Sequence, residues 1–141
     1  LDRNLSIKKS SFIYLSSNKK NTIIFYENAS KKKIKLLIKK GIKLIKFKTD
    51  KNNFFDLKLL LKKIYSFGCR NLLVEGGKSL TASFLKESLF DQFYLFKSPK
   101  NLRKSGKLNI SVELNQLSFK YKNKSKLNSF TGNDIVYLYS K

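Results

Sequence analysis

Between Thr22 and Phe96 the chain alternates repeatedly between short β-branched or aromatic runs and longer stretches with apolar residues at helical spacing. Thr22 to Tyr26 is the first run and suits a buried strand. Ser30 is placed to cap the helix that follows, where Ile34, Leu37 and Ile38 share one face and lysines cover the other. Gly41 ends it in the left-handed position. Ile42 to Phe47 is the second strand and Thr49 to Asn53 a polar loop. Asp56 caps a second amphipathic helix carrying Leu59, Leu60, Ile64 and Phe67, closed by Gly68. Asn71 to Glu75 reads as the third strand, Ser79 to Glu87 as the third helix, and Gln92 to Phe96 as a further strand. Parallel strands need a crossover between them, so repeated strand-helix units imply an α/β fold with a mostly parallel sheet and flanking helices. Leu117 to Tyr121 and Ile135 to Tyr139 alternate like two strands around the polar segment Lys122 to Asn133. They add a C-terminal antiparallel hairpin and make the sheet mixed.

At 141 residues, 41% of them hydrophobic, the chain is one domain or part of one, and large enough to bury a core. No interdomain linker or internal repeat is visible. No apolar run approaches the roughly 18 residues of a membrane span. The start, Leu1-Asp2-Arg3-Asn4, has neither an initiator Met nor a signal core, which reads as a piece of a longer product.

The formal charge is +22, and of 31 basic residues only Arg3, Arg70 and Arg103 are arginine. Lysine accompanied by abundant Asn, Ile and Phe is what an AT-rich coding sequence produces on any fold, leaving solvated lysine faces. Arginine is the residue that reads bases and grips phosphate in bidentate fashion, so its scarcity argues against a nucleic-acid partner. A polyanion-binding role would instead gather lysines in a stripe on one face and bind in a steeply salt-dependent way. Under either reading the field favours small anionic ligands. The absence of His closes Ser-His-Asp chemistry and His-ligated metal sites, so no metal is expected. Cys69 has no second cysteine to pair with and reads as a reduced core thiol in a cytoplasmic protein.

The densest chemistry lies in Asn71-Leu72-Leu73-Val74-Glu75-Gly76-Gly77-Lys78-Ser79-Leu80-Thr81. Gly76 and Gly77 tolerate positive φ and let a ligand approach the backbone. The first N–H groups of the helix are free, Lys78 adds a point charge, and Ser79 and Thr81 add hydroxyls, which together suit a phosphate. Glu75, at the end of the strand, can accept N–H or O–H bonds from a neighbouring substrate. The alternative is a plain strand-to-helix turn with Ser79 as N-cap and Glu75 as a surface acid. The spaced Gly-x-Gly-x-x-Gly fingerprint is absent, so spacing alone leaves both open. Leu89 to Phe96, with Phe90, Phe93, Tyr94 and Phe96, is likewise either a core strand with one wet face or a subunit interface.

The series Asn71 to Gly77, then Leu80, Phe84-Leu85, Leu89-Phe90-Asp91-Gln92 and Ser98-Pro99, resembles the reductase domain of the bifunctional riboflavin-biosynthesis deaminase/reductase. Leu1-Asp2-Arg3-Asn4-Leu5 resembles the segment that precedes this stretch in that family, and Gly41 and Asp56-Leu57 fall where its pattern puts them. The resemblance covers Leu1 to about Pro99 well and the tail in outline. It implies a dihydrofolate-reductase-like fold, NADPH as cofactor, and reduction of 5-amino-6-(5-phosphoribosylamino)uracil to the ribitylamino product by hydride delivery to C1′. It implies Glu75 as the substrate contact, and Gly77, Lys78, Ser79, Leu80, Thr81, Ala82, Ser83 and Arg3 as cofactor contacts. No residue is singled out as catalytic in the narrow sense. Residues 1–141 would be the C-terminal part of a single reductase domain, N-terminally truncated, working as a homodimer with a zinc deaminase domain upstream. Ser98 stands where the family usually has Ala, and the glycine expected soon after the proline comes only at Gly106. Another pterin or pyrimidine reductase of the same superfamily, or a non-catalytic basic nucleic-acid-binding module, are the readings from outside this family.

Overall fold

The computed structural model describes residues 1–17, 21–100, 111–127 and 133–141. Gly106 and residues 128–132 of the polar segment lie outside them. The chain divides into two compact units, Leu1–Cys69 and Arg70–Lys141.

The first unit opens with a turn held by Asp2. Its carboxylate accepts the Ser6 and Ile7 N–H groups at 2.8 Å each and the Ser6 hydroxyl at 2.9 Å. Leu5 sits inside this turn at φ +50° and is 1% exposed. The left-handed backbone costs roughly 1 kcal/mol or more, whereas burying the side chain contributes about 1.5–3 kcal/mol, so burial decides the geometry. After the short helix α1 (Phe12–Ser16), β1 (Ile23–Tyr26) runs parallel to β2 (Lys43–Lys46), with Ile23 opposite Lys43 and Tyr26 opposite Lys46. The crossover between them is α2 (Lys31–Lys39), where the Ser30 hydroxyl accepts the Lys33 N–H as the N-cap expected from sequence. Gly41 at φ +95° ends that helix. Leu5, Ile24, Tyr26, Leu37 and Ile42 form the core. α3 (Leu57–Tyr65) starts at Asp56, whose carboxylate accepts the Leu59 N–H at 2.9 Å, and buries Leu57 and Leu60 before Gly68 turns at φ +85°.

The second unit holds α4 (Lys78–Lys86), β3 (Gln92–Lys97), α5 (Ser111–Lys120), β4 (Asn123–Leu127) and β5 (Ile135–Ser140). The strands lie in the order β3-β5-β4, both pairings antiparallel, with Phe93 opposite Tyr139 and Lys124 opposite Tyr139 on the other side. Leu85, Leu117, Tyr121 and Tyr139 form its core, with Phe90, Phe93 and Leu95 against it. Phe90 stacks at 5.1 Å from Phe84 and meets Phe93 edge-on at 5.2 Å. The Lys120 ammonium donates to the Leu85 and Lys86 carbonyls at 2.6 and 2.9 Å and so caps the end of α4.

Four expectations need correction. Asn71–Glu75 belongs to no β ladder among the described residues, and Leu73 is 79% exposed. Among the described residues the ladders are therefore one parallel pair and two antiparallel pairs, and the parallel share of the sheet rests on β1 and β2. Leu117–Tyr121 belongs to the end of α5 and the residue after it, because Leu114, Leu117 and Tyr121 also recur at helical spacing and pack inward together. The first arm of the hairpin is instead the lysine-rich β4, whose Lys124 ammonium lies 4.3 Å from the centre of the Tyr137 ring. The third helix begins at Lys78 with Gly77 as its cap, two residues before the expected cap Ser79.

Candidate functional site

Glu75, Gly76 and Gly77 lead into α4 in an exposed turn. Gly77 has φ −78° and ψ −179° and offers no side-chain cap, so among the described residues no side chain is bonded as a cap to this helix end. The first backbone bond of the helix runs from the Thr81 N–H to the Gly77 carbonyl at 3.1 Å. The N–H groups of Lys78, Ser79 and Leu80 precede it and point outward from the positive end of the helix dipole. One anion there gains about 0.3–1 kcal/mol from the dipole alone. A Cβ built on Gly77 would meet no atom within 4 Å, whereas one on Gly76 would stand 3.1 Å from the Leu80 Cβ. Neither glycine has positive φ, which corrects the conformational reason expected for them. Gly76 is small to let Leu80 pack under the turn, and Gly77 leaves open space in front of the free N–H groups.

The sequence-derived contacts separate into three groups. Glu75, Gly77, Lys78, Ser79, Leu80 and Thr81 gather at the start of α4. Ala82 and Ser83 lie in the next turn, and the Ser83 hydroxyl is already engaged with the Ser79 carbonyl at 2.9 Å. Ala82 has no polar side chain, so neither offers a free side-chain group to a ligand. Arg3 belongs to the first unit, where its carbonyl accepts the Glu27 and Asn28 N–H groups at 2.9 and 3.0 Å and its guanidinium bonds the Asn53 side chain.

Arg3 is thereby fixed just beyond the carboxyl end of β1, and a second polar group not singled out from sequence stands there with it. The Glu27 carboxylate accepts the Thr49 N–H at 2.9 Å and the Thr49 hydroxyl at 2.7 Å. Those two bonds, with Arg3 and Lys46 adding attraction, hold its pKa below the ordinary glutamate value. The signal that could have found it is positional: Glu27 directly follows β1, and the carboxyl ends of parallel strands are where α/β sheets bind ligands. An arginine, a lysine and a held carboxylate at such an end can take a phosphate and a hydroxyl side by side. Among the described residues no three His, Cys, Asp or Glu side chains come together as a metal site would require. Among them, too, no helix is long and apolar enough to cross a membrane.

A family model described as the RibD C-terminal domain matches residues 1–135 of the chain. The chain is 34% identical over 100 residues to the riboflavin biosynthesis protein RibD of Aquifex aeolicus (strain VF5), an alignment that covers 71% of this chain and 26% of that protein. Its fold matches a pyrimidine reductase-like protein from Corynebacterium diphtheriae NCTC with a TM-score of 0.70 at 17% identity, over 98% of this chain and 58% of that one. It matches the RibD of Acinetobacter baumannii with a TM-score of 0.67, also at 17% identity, over 99% of this chain and 36% of the other. The chain thus spans about a quarter of the curated relative and about a third to three-fifths of the two solved proteins. The dihydrofolate-reductase-like α/β fold expected from the sequence is the fold observed.

Proposed function

The chain belongs to the family of the RibD C-terminal domain, and from that premise we propose that it forms the reductase part of a riboflavin-pathway enzyme. The reaction is NADPH-dependent reduction of 5-amino-6-(5-phosphoribosylamino)uracil to its ribitylamino product. The observation that carries this reading is the turn at the start of α4, where an acid, an uncapped helix end and open space in front of Gly77 stand together.

NADPH, when bound, supplies the hydride that the ribosyl C1′ accepts. The residues present fit such a cofactor, since the free N–H groups of Lys78, Ser79 and Leu80, with the Lys78 ammonium and the Thr81 hydroxyl, can hold its pyrophosphate. Ala82 and Ser83 extend that wall along α4 through backbone and shape. Arg3, anchored at the carboxyl end of β1 in the first unit, is read as a cofactor contact from the family resemblance alone. Glu75 accepts N–H or O–H bonds from the pyrimidine and so orients it. Such catalysis works by holding two ligands in register and needs neither a nucleophile nor a histidine. Residues 1–141 are read as the C-terminal part of one reductase domain, acting in the cytoplasm as a homodimer together with a zinc deaminase domain.

The test is Glu75→Gln in the full-length parent enzyme, followed by loss of NADPH absorbance during turnover and by direct NADPH titration. Removing a charged hydrogen-bond partner of the pyrimidine costs about 1.5–3 kcal/mol, so KM for the pyrimidine should rise roughly tenfold or more while the Kd for NADPH stays unchanged. An unchanged KM would remove Glu75 from the site. NADPH binding without turnover of this pyrimidine by the unmodified enzyme would instead favour another reductase of the same superfamily.

A further inference from the structure

The α2 helix carries a lysine stripe that the reductase reading does not use. Lys31, Lys35 and Lys39 recur every four residues, about 6 Å apart along the helix axis. Lys35 and Lys39, with Lys32 and Lys40, line an open groove of about 530 Å³ together with Tyr14 of α1 and Leu36 of α2. The lysines of this helix fall into two kinds. Lys33 and Lys40 have structural partners, since the Lys33 ammonium donates to the Ile7 carbonyl at 2.7 Å and Lys40 to the Leu15 carbonyl at 3.2 Å. Lys40 also lies 5.6 Å from the centre of the Tyr14 ring. Lys32, Lys35 and Lys39 form no ion pair among the described residues.

The first unit has four carboxylates in its sequence, and each is committed elsewhere. Asp2 holds the Ser6 turn, Glu27 holds Thr49, Asp50 accepts the Asn52 and Phe54 N–H groups, and Asp56 caps α3. Like charges four residues apart on a helix cost about 0.2–0.5 kcal/mol per pair, so the stripe works against its own helix unless a polyanion neutralises it. Lysine composition alone would spread charge over the surface without regard to any groove.

From this juxtaposition we infer that the α1–α2 groove is a docking site for a single-stranded polynucleotide, read by its backbone without regard to sequence. Flexible lysine stems can follow phosphates spaced about 3.4 Å apart when stacked and farther when unstacked. The half-buried Tyr14, with the Lys40 ammonium over its ring, and Leu36 leave an apolar edge between the lysines for a base, as sequence-tolerant single-strand binders use. With no arginine in the groove, bidentate reading of base edges is absent. An aromatic ring set among ammonium groups offers stacking as well as charge, which favours a strand with exposed bases over a bilayer surface.

The test is fluorescence anisotropy of the whole chain with a labelled mixed-sequence RNA of about 15 nucleotides, between about 50 and 200 mM salt. The triple variant Lys32→Gln, Lys35→Gln and Lys39→Gln should lose about tenfold or more in affinity, with the salt slope flattened by about 2. A charge-matched control, Lys9→Gln, Lys51→Gln and Lys58→Gln, removes three exposed lysines outside the groove and should stay within about threefold of the unmodified chain. Circular dichroism should show both variants folded, since each loses only exposed charge. Equal losses in the two triples would overturn the site, because net charge alone would then explain binding. No binding at the lowest salt, or capture by phosphatidylserine vesicles with none by RNA, would overturn it as well.

Discussion

Gly76 and Gly77 are neighbours with different reasons to be glycine, and the difference separates stability from ligand binding. An alanine at position 76 would bring its Cβ to 3.1 Å from that of Leu80, so Gly76→Ala should destabilise the protein by about 1–3 kcal/mol through overpacking. Position 77 has an ordinary extended backbone and open space. A serine there becomes a helix N-cap that glycine cannot provide, worth a few tenths of a kcal/mol. Gly77→Ser should therefore raise the Tm slightly while weakening NADPH binding, because the same hydroxyl fills the free N–H groups and the space before them. Opposite signs in thermal melts and NADPH titration are expected; a rise in both would mean the cofactor lies elsewhere. The pair was legible in the sequence as a special turn, but the reason was not, since positive φ occurs at Gly41 and Gly68 and the Gly76–Leu80 approach needs three dimensions. Glu27 shows the same limit, because its partner Thr49 is 22 residues away. Its pKa is lowered in the folded state, so its contribution to stability is present above the unfolded value and is lost as pH falls through the folded one. Melting temperature should drop below about pH 4.5, and Thr49→Val should make that drop shallower; an unchanged acid limb would show that the carboxylate is not held in solution.

At the scale of elements, caps and periodicity were readable and partner choice was not. Ser30 and Asp56 cap α2 and α3 from the positions the sequence gives them, because a cap is a local bond spanning three residues. The region after Pro99 resists such reading. Leu117, Phe119 and Tyr121 alternate like a strand, yet the alternation that matters is Leu114, Leu117 and Tyr121 on one helical face. The strand that does form, β4, carries Asn123, Lys124, Ser125 and Lys126, residues poor in β propensity. It forms because Tyr137 and Tyr139 on β5 offer Lys124 two rings and a ladder, and a charged edge also discourages further pairing. Asn71–Glu75 has the opposite fate, with strand composition and no ladder. Tertiary bonds of this kind give α5 a measurable role. Lys120 bridges the last carbonyls of α4, so Lys120→Met, which keeps the stem and removes the charge, should cost about 1–2 kcal/mol in denaturant unfolding. A loss no larger than that of an exposed lysine such as Lys122 would mean the cap is not formed in solution.

At the scale of the whole molecule, the family match along residues 1–135 says what kind of chain this is, and the exposed apolar surface poses a question of its own. β3 turns Phe93 and Leu95 inward and Tyr94 and Phe96 outward, and the outward pair are 46% and 59% exposed. Alternation made the two faces visible in the sequence, but whether the outer one was wet or covered could not be read there. Among the described residues β3 is an edge strand, and such a strand presenting aromatic side chains is an aggregation hazard unless another surface covers it. The homodimer proposed above would supply such a surface, since a two-fold interface sets the same patch against itself and aromatic residues are enriched at interface centres. A stable pair needs about 800 Å² buried on each partner, so Tyr94 and Phe96 would be its centre and not its whole extent. Phe96→Lys places a charge opposite its own copy across that axis. The unmodified protein should sediment as a dimer at micromolar concentration, and Phe96→Lys should shift it to monomer with an unchanged circular dichroism spectrum, because the substituted side chain is already outside the core. A monomeric unmodified protein, or a dimer indifferent to Phe96→Lys, would leave this face as a solvent-exposed sheet and move the interface elsewhere.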